Sequence, residues 1–351
     1  MSDIIISGYY GFGNNGDEAL LRAIISDIRD KRSDADIVVL SKTPLLTQRT
    51  HNVKSISRTN IFKISREMNR TRLLISGGGS LIQNATSTKS LLYYLGIIRL
   101  AKMCGARVML YANGIGPVKG KISKALVKRV LNRVDYITLR EDSSRDELKN
   151  LGVDKPEIKV TADPALNIAP CSDTRVDELL GELGIGNFFV VSARNWKDID
   201  KWADELSAAV AAISGKYSMT PLFIPMHPRI DSDISRYAAE KTGGVVLDGG
   251  YGTDEILGLM SRAGCVIGMR LHSVIYALSA GASPVGIVYD PKVSAFFDYI
   301  NNENYISIED FSSHRLCETV DKAMGVKPDS GIVNNMKERA RENAGIAINL
   351  L

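Results

Sequence analysis

The chain has 351 residues, 44% hydrophobic and 24% charged, and a formal net charge of only +4. That is more chain than one hydrophobic core organises, so two domains are expected. There is no run of about 18 apolar residues, and Met1-Ser2-Asp3 leads into a strand-like run without a basic stretch or cleavage site, which argues against a spanning helix and a secretory signal.

Apolar strand-length runs alternate with amphipathic stretches throughout, the pattern of parallel βαβ units covered on both faces. Strands are predicted at Asp3–Ser7, Ile37–Leu40, Leu73–Ser76, Val108–Tyr111, Tyr136–Leu139 and Ile158–Thr161, with helices notably over Asp17–Lys31, Leu91–Met103 and Ile122–Val134. After Asp163-Pro164-Ala165 and the polar stretch 170–173 the alternation resumes, with strands at Phe188–Ser192, Leu222–Pro225, Val245–Leu247, Cys265–Gly268 and Pro284–Val288. The expected fold class is α/β, two Rossmann-like parallel-sheet domains facing a cleft. Residues 1–168 form the first, 169–330 the second, and 331–351 a C-terminal helix packing on the domains. Four well-separated cysteines, Cys104, Cys171, Cys265 and Cys317, lack the paired spacing of a zinc or redox site and read as reduced thiols of a cytoplasmic protein.

Ligands of such sheets sit at the carboxyl ends of the strands. The first strand runs into Gly8-Tyr9-Tyr10-Gly11-Phe12-Gly13-Asn14-Asn15-Gly16-Asp17-Glu18, a glycine-rich turn opening a helix, where a ligand can approach the backbone closely. The spacing is not that of a dinucleotide fingerprint, and Asp17 and Glu18 occupy the first helical turn where a phosphate would sit. Carboxylates there repel anions; they suit sugar hydroxyls, or they simply complement the helix dipole. The strand from Leu73 ends in Ser76-Gly77-Gly78-Gly79-Ser80-Leu81-Ile82-Gln83, and the next in Tyr111-Ala112-Asn113-Gly114-Ile115-Gly116-Pro117. Turn chemistry accounts for any one of these loops. Three together predict a polar, uncharged ligand on the first domain, with Asn14, Asn15, Asp17, Gly78, Gln83 and Asn113 as contacts.

The second half places cations at the same topological positions: Arg194 after FFVVSA, His227 after LFIPM, Arg270 and His272 after CVIGM, and Lys292 after VGIVYDP. Arginine suits bidentate carboxylate or phosphate recognition, and histidine moves protons near neutral pH. The bland alternatives are a salt-bridged Arg270, a core-satisfied His272, and a His227 that only shapes its turn. Otherwise His227 is a further contact for the uncharged ligand.

Charge is unevenly spread. Through residue 170 there are 27 Lys and Arg against 16 Asp and Glu, and in the remainder 17 against 24. Residues 42–72 carry eight basic residues and one acid, and 119–133 six and none. In the latter, Ile122, Leu126, Val127, Val130, Leu131 and Val134 share one helical face, with Lys121, Lys124 and Lys128 opposite. Two such runs predict an anionic membrane surface or a lipid pyrophosphate as partner. Nucleic acid is not expected, because no aromatic-interleaved basic element accompanies them.

With those residues in hand, the chain resembles the polysaccharide pyruvyltransferase family, especially the bacterial members acting on secondary cell-wall polymers. The resemblance runs in order through GYYGFGNNGDEALL, ISGGGSLIQ, TSTKSLLYYLGII, YANGIGP, LRED, VTADPA, SARNW, GMRLHS and YDPK. It implies a GT-B-like fold and phosphoenolpyruvate as donor and co-substrate, with no other cofactor and no metal. The product implied is a pyruvate ketal, commonly across O4 and O6 of an N-acetylmannosamine in a lipid-linked disaccharide. It also implies a cytoplasmic enzyme, peripheral at the inner face of the membrane. By position, Arg270 and His272 match the donor-binding and catalytic pair, with Leu271 between them, while Lys292, Arg194 and Arg140 match the other cationic site positions.

The residue chemistry agrees with a small dianionic donor, which needs several cations. Ketal formation also needs a positioned acid–base group at more than one step. His272 is expected to do that work, Arg270 and Lys292 to hold the reacting donor, and Asp17 to orient or deprotonate the acceptor. The rival reading is a sugar-nucleotide glycosyltransferase of the same fold. Such enzymes usually hold the ribose with a carboxylate on the helix that here runs Ser273–Gly281, where Tyr276 stands instead.

Overall fold

The computed structural model describes residues 2–196 and 199–351. The chain divides into two compact units, Met1–Asn167 with Asn335–Leu351, and Ile168–Asn334.

The first unit runs β1 (Ile4–Ser7), α1 (Asn15–Lys31), β2 (Ile37–Ser41), α2 (Pro44–His51), β3 (Lys54–Ser57), α3 (Ile61–Met68), β4 (Leu73–Ile82), α4 (Thr88–Met103), β5 (Arg107–Ile115), α5 (Lys121–Leu131), β6 (Tyr136–Leu139), α6 (Asp142–Asn150) and β7 (Glu157–Val160). Its seven parallel strands lie in the order β3-β2-β1-β4-β5-β6-β7. Ile4, Ile5 and Ile6 are fully buried, as a central strand covered on both faces requires.

The second unit runs α7 (Asp173–Leu183), β8 (Phe188–Ser192), α8 (Ile199–Tyr217), β9 (Thr220–Phe223), α9 (Pro228–Thr242), β10 (Val245–Val246), α10 (Thr253–Arg262), β11 (Val266–Gly268), α11 (Leu271–Ala280), β12 (Pro284–Val288), α12 (Pro291–Tyr299), β13 (Tyr305–Ser307) and α13 (Ser313–Ala323). Its six parallel strands are ordered β10-β9-β8-β11-β12-β13. In each sheet the order reverses at one strand, β1 or β8, and the crevice outside that reversal is where such sheets bind ligands.

The last helix, α14 (Ser330–Asn349), brings the chain's end back to the first unit. Asn343 accepts the Thr161 hydroxyl at 2.8 Å and donates to the Ala162 carbonyl at 3.2 Å, and Ala347 is buried in the core beside β1.

Two strands have no counterpart in the sequence reading, β3 and β13. Both lie at sheet edges and are only partly covered, so they lack the apolar run that marks a buried strand. Two expected loops are also corrected. Gly77–Gly79 lie inside β4 and Asn113 inside β5, where Gly77 pairs with Tyr111 and Gly79 with Asn113. Glycine is needed there because α1 lies against the strand: a Cβ on Gly77 would fall 2.5 Å from the Tyr10 hydroxyl, and one on Gly78 2.9 Å from Leu20.

Candidate active site

In the second unit, four loops leave the carboxyl edge of four neighbouring strands, β9, β8, β11 and β12, and carry His227, Arg194, Arg270 with His272, and Lys292 respectively. Parallel strand direction, read in the sequence as four similar strand ends, thus brings these groups to one edge of one sheet.

Arg270 is the most firmly oriented. It caps α11 in an extended conformation, and its carbonyl accepts the Ser273 hydroxyl at 2.6 Å. Its guanidinium forks onto Asp231, Nε donating to Oδ2 at 2.6 Å and Nη2 to Oδ1 at 2.7 Å. Asp231 is completely buried and its Oδ2 also accepts the His227 amide at 2.9 Å. One carboxylate on α9 therefore fixes both the arginine and the start of the helix that His227 caps. The salt-bridged alternative for Arg270 is realised.

His227 stands at the same sheet edge of the second unit. Burial, and after it the Arg270 guanidinium, push its imidazole below the ordinary value, so it is neutral at pH 7. His272, in the first turn of α11, is half-buried, its ring 6.4 Å from the buried Tyr276 ring in an edge-on arrangement. Leu271 beside it is buried. Arg194 lays its guanidinium over Tyr289, 4.5 Å from the ring centre, and its amide donates to Met269 Sδ at 3.3 Å. Trp196 packs against the same tyrosine. The exits of β8, β11 and β12 are thereby tied together. Lys292 sits in the first turn of α12, its Nζ 3.1 Å from Asp290. Asp290 caps that helix by accepting the Lys292 amide, also at 3.1 Å.

The first unit carries the polar residues expected for an acceptor. Asn14 caps α1 by accepting the Gly16 amide at 3.1 Å, and Asn15 begins the helix. Asp17 reaches over β4, where a Cβ on Gly79 would stand 3.2 Å from its Oδ1. Glu18 is used structurally: it accepts the Gly11 amide at 2.7 Å and stands 3.6 Å from His51. His51 thus shares in the structural role of Glu18. Gln83, just past β4, exchanges hydrogen bonds with Thr86. Asn113 is fully buried, donating to the carbonyls of Ser76 and Tyr111 at 2.9 and 3.0 Å, so it joins β4 to β5. Arg140 also lies in the first unit. It is buried, with Nε on Glu141 at 2.8 Å, Nη1 on Asp163 at 3.0 Å and Nη2 on the Ser80 hydroxyl at 3.3 Å.

Sequence reasoning missed Asp231, Tyr289 and Arg58. An acid four residues after a strand-end histidine was the available signal for Asp231. Arg58 follows the edge strand β3 and is buried over Tyr93, with Phe12 and Tyr94 also around it, 4.2 to 5.6 Å from the ring centres. Among the described residues, no group of three or more His, Cys, Asp or Glu is placed to hold a metal ion.

The profile of the polysaccharide pyruvyl transferase family matches residues 14–291, about four-fifths of the sequence. The chain belongs to that family. The matched span of this pyruvyl transferase family member includes every candidate site residue from Asn14 through His272; Lys292 follows its last residue. A search of curated sequences found no match. Among solved structures, the UDP-GlcNAc 2-epimerase of Methanocaldococcus jannaschii is similar at a TM-score of 0.68 and 13% identity, over 99% of this chain and 100% of that one. HepE of Anabaena, solved with UDP and glucose, gives 0.61 and 13% over 100% and 97%. A glycosyltransferase from Rickettsia africae gives 0.58 and 12% over 99% and 95%. At such identities the likeness establishes the GT-B-like fold alone.

Proposed function

We propose that the protein transfers pyruvate from phosphoenolpyruvate to two hydroxyls of one sugar, forming a 4,6-ketal on a lipid-pyrophosphate-linked disaccharide and releasing phosphate. The observation that carries this reading is the set Arg194, Arg270, His272 and Lys292 at one sheet edge, with Arg270 held in register by buried Asp231. A carboxylate and a phosphate on adjacent atoms need that many donors, and the N-terminus of α11 adds its dipole.

In the reaction an acid protonates the donor's methylene carbon and a sugar oxygen adds to C2, its proton passing to a base. The C2–O bond to phosphate then breaks. A second hydroxyl of the same sugar adds to C2 and loses its proton, leaving a methyl and a carboxylate on the ketal carbon. His272 is assigned the proton transfers, Arg270 with Arg194 and Lys292 the donor's charge, and Asp17 the acceptor hydroxyl, with Asn14, Asn15 and Gln83 as further acceptor contacts. Asn113 and Arg140 act through structure: one locks the strands under this loop set, the other ties Ser80 to Asp163.

The competing sugar-nucleotide reading finds no support on α11, which has no acidic residue and whose Tyr276 is fully buried. A thermal melt separates the two. Phosphoenolpyruvate at 100 times its Kd should stabilise by about 2.7 kcal/mol, raising Tm by roughly 5–10 °C, with no shift from UDP. Stabilisation by UDP alone would overturn the donor assignment.

A further inference from the structure

Outside both residue sets, the first unit carries an open groove of about 380 Å³ between α4 and α5. Its apolar lining comes from Ile98 and Met103 on α4 and Leu126 and Val130 on α5, and Met103 is 73% exposed. Its other lining groups are all basic: Arg99, Lys102, Arg129 and Arg133. Only Lys102 is paired, with Asp135 at 2.7 Å; the three arginines are exposed and form no ion pair among the described residues. On the same helix α5, Lys121, Lys124 and Lys128 are exposed and Ile122 is 79% exposed, with no acid along the helix.

We infer that this groove seats the protein on an anionic phospholipid leaflet, the arginines reaching headgroup phosphates while Met103 and its neighbours meet the acyl boundary. Charge complementarity selects the occupant. Three unneutralised arginines around an apolar floor repel a basic partner and leave the floor unused by a free phosphate or a nucleic-acid backbone, whereas a bilayer surface offers both chemistries at the required depth. This inference does not depend on pyruvyl transfer, since membrane binding needs neither donor nor acceptor.

Vesicle co-sedimentation of the whole protein tests it, with phosphatidylglycerol–phosphatidylcholine vesicles against phosphatidylcholine alone. Binding to the anionic vesicles only, weakened by salt and not competed by soluble glycerophosphate, is expected. The variant Arg99→Glu/Arg129→Glu/Arg133→Glu should bind at least ~100-fold more weakly. The control Lys155→Glu/Lys322→Glu/Lys327→Glu makes the same charge change on exposed lysines outside both basic runs and should lose less than tenfold. Met103→Asp should weaken binding while leaving every cation in place. All altered side chains are exposed, and an unchanged melting curve verifies that each variant is folded. Equal binding to neutral vesicles, competition by glycerophosphate, or equal losses from the two triple variants would overturn the assignment.

Discussion

Asp231 shows how much a single carboxylate can decide. It holds the Arg270 fork and the His227 amide at once, and it is sealed from water. Breaking a buried pair by removing one partner costs about 3–5 kcal/mol. Asp231→Ala should therefore lower Tm and cut kcat/KM for phosphoenolpyruvate by about 10²-fold, chiefly through KM, because the arginine is no longer aimed. Asp231→Asn, which keeps the shape and one acceptor oxygen, should recover part of both. A KM that stays at the wild-type value in Asp231→Ala would show that the fork does not position Arg270 for the donor.

Asp27 on α1 makes the opposite contribution. Burial pushes its carboxyl up to about 7, partly offset by the Asn167 amide and by Arg341. The folded protein holds a proton there that the unfolded chain releases near pH 4, so this group's stabilisation is complete below that pH and is lost as pH rises through about 7. Asp27→Asn is thus expected to be more stable than wild type at pH 8, by on the order of 2 kcal/mol, with the gain vanishing near pH 4. Denaturant melts at the two pH values check it, and a gain that grows toward acid would reverse the assignment. At this scale the cations at strand ends were legible because arginine and histidine stand out against apolar runs. Asp231 and Asp27 were not, because an acid on an amphipathic helix looks solvated until the packing is known.

At the scale of elements, the sequence reveals a strand only as well as the strand is buried. The central strands β1, β2, β8 and β12 read as apolar runs, whereas β3 and β13, half-covered at the edges, read as loops. The glycine runs misled in the other direction. In Gly77-Gly78-Gly79 the small residues serve the packing of α1 across β4 and of Tyr10 beneath. Gly77→Ala should consequently cost about 1–3 kcal/mol, since the new methyl meets the Tyr10 hydroxyl, Ile24 and Ile6 within 3.1 Å. Calorimetry should find a Tm lower by roughly 2–10 °C, while an unchanged Tm would mean that Tyr10 moves aside freely. The placement of the second unit's cations at one sheet edge was nonetheless legible, because parallel strands deliver whatever follows them to one edge regardless of whether the last residues are extended or looped.

For the molecule as a whole, the near-neutral total hides a basic first part and an acidic second one, and each carries chemistry that its net charge does not announce. The acidic part holds Arg194, Arg270, His272 and Lys292; the basic part has Asp17 in the first turn of α1 and carries excess charge on helices such as α5. Composition alone could locate the basic surface but not the site, since catalysis depends on a few groups converging at a sheet edge and net charge sums over all of them. No helix among the described residues is long and apolar enough to cross a membrane. The most direct test of the account incubates the protein with phosphoenolpyruvate and a lipid-linked disaccharide carrying N-acetylmannosamine, and measures phosphate release alongside the mass of the glycan. Wild type should release one phosphate for each pyruvate ketal formed, and His272→Ala should do so about 10²–10⁴-fold more slowly. Phosphate release that is absent across a panel of glycans, or that His272→Ala sustains at the wild-type rate, would contradict it.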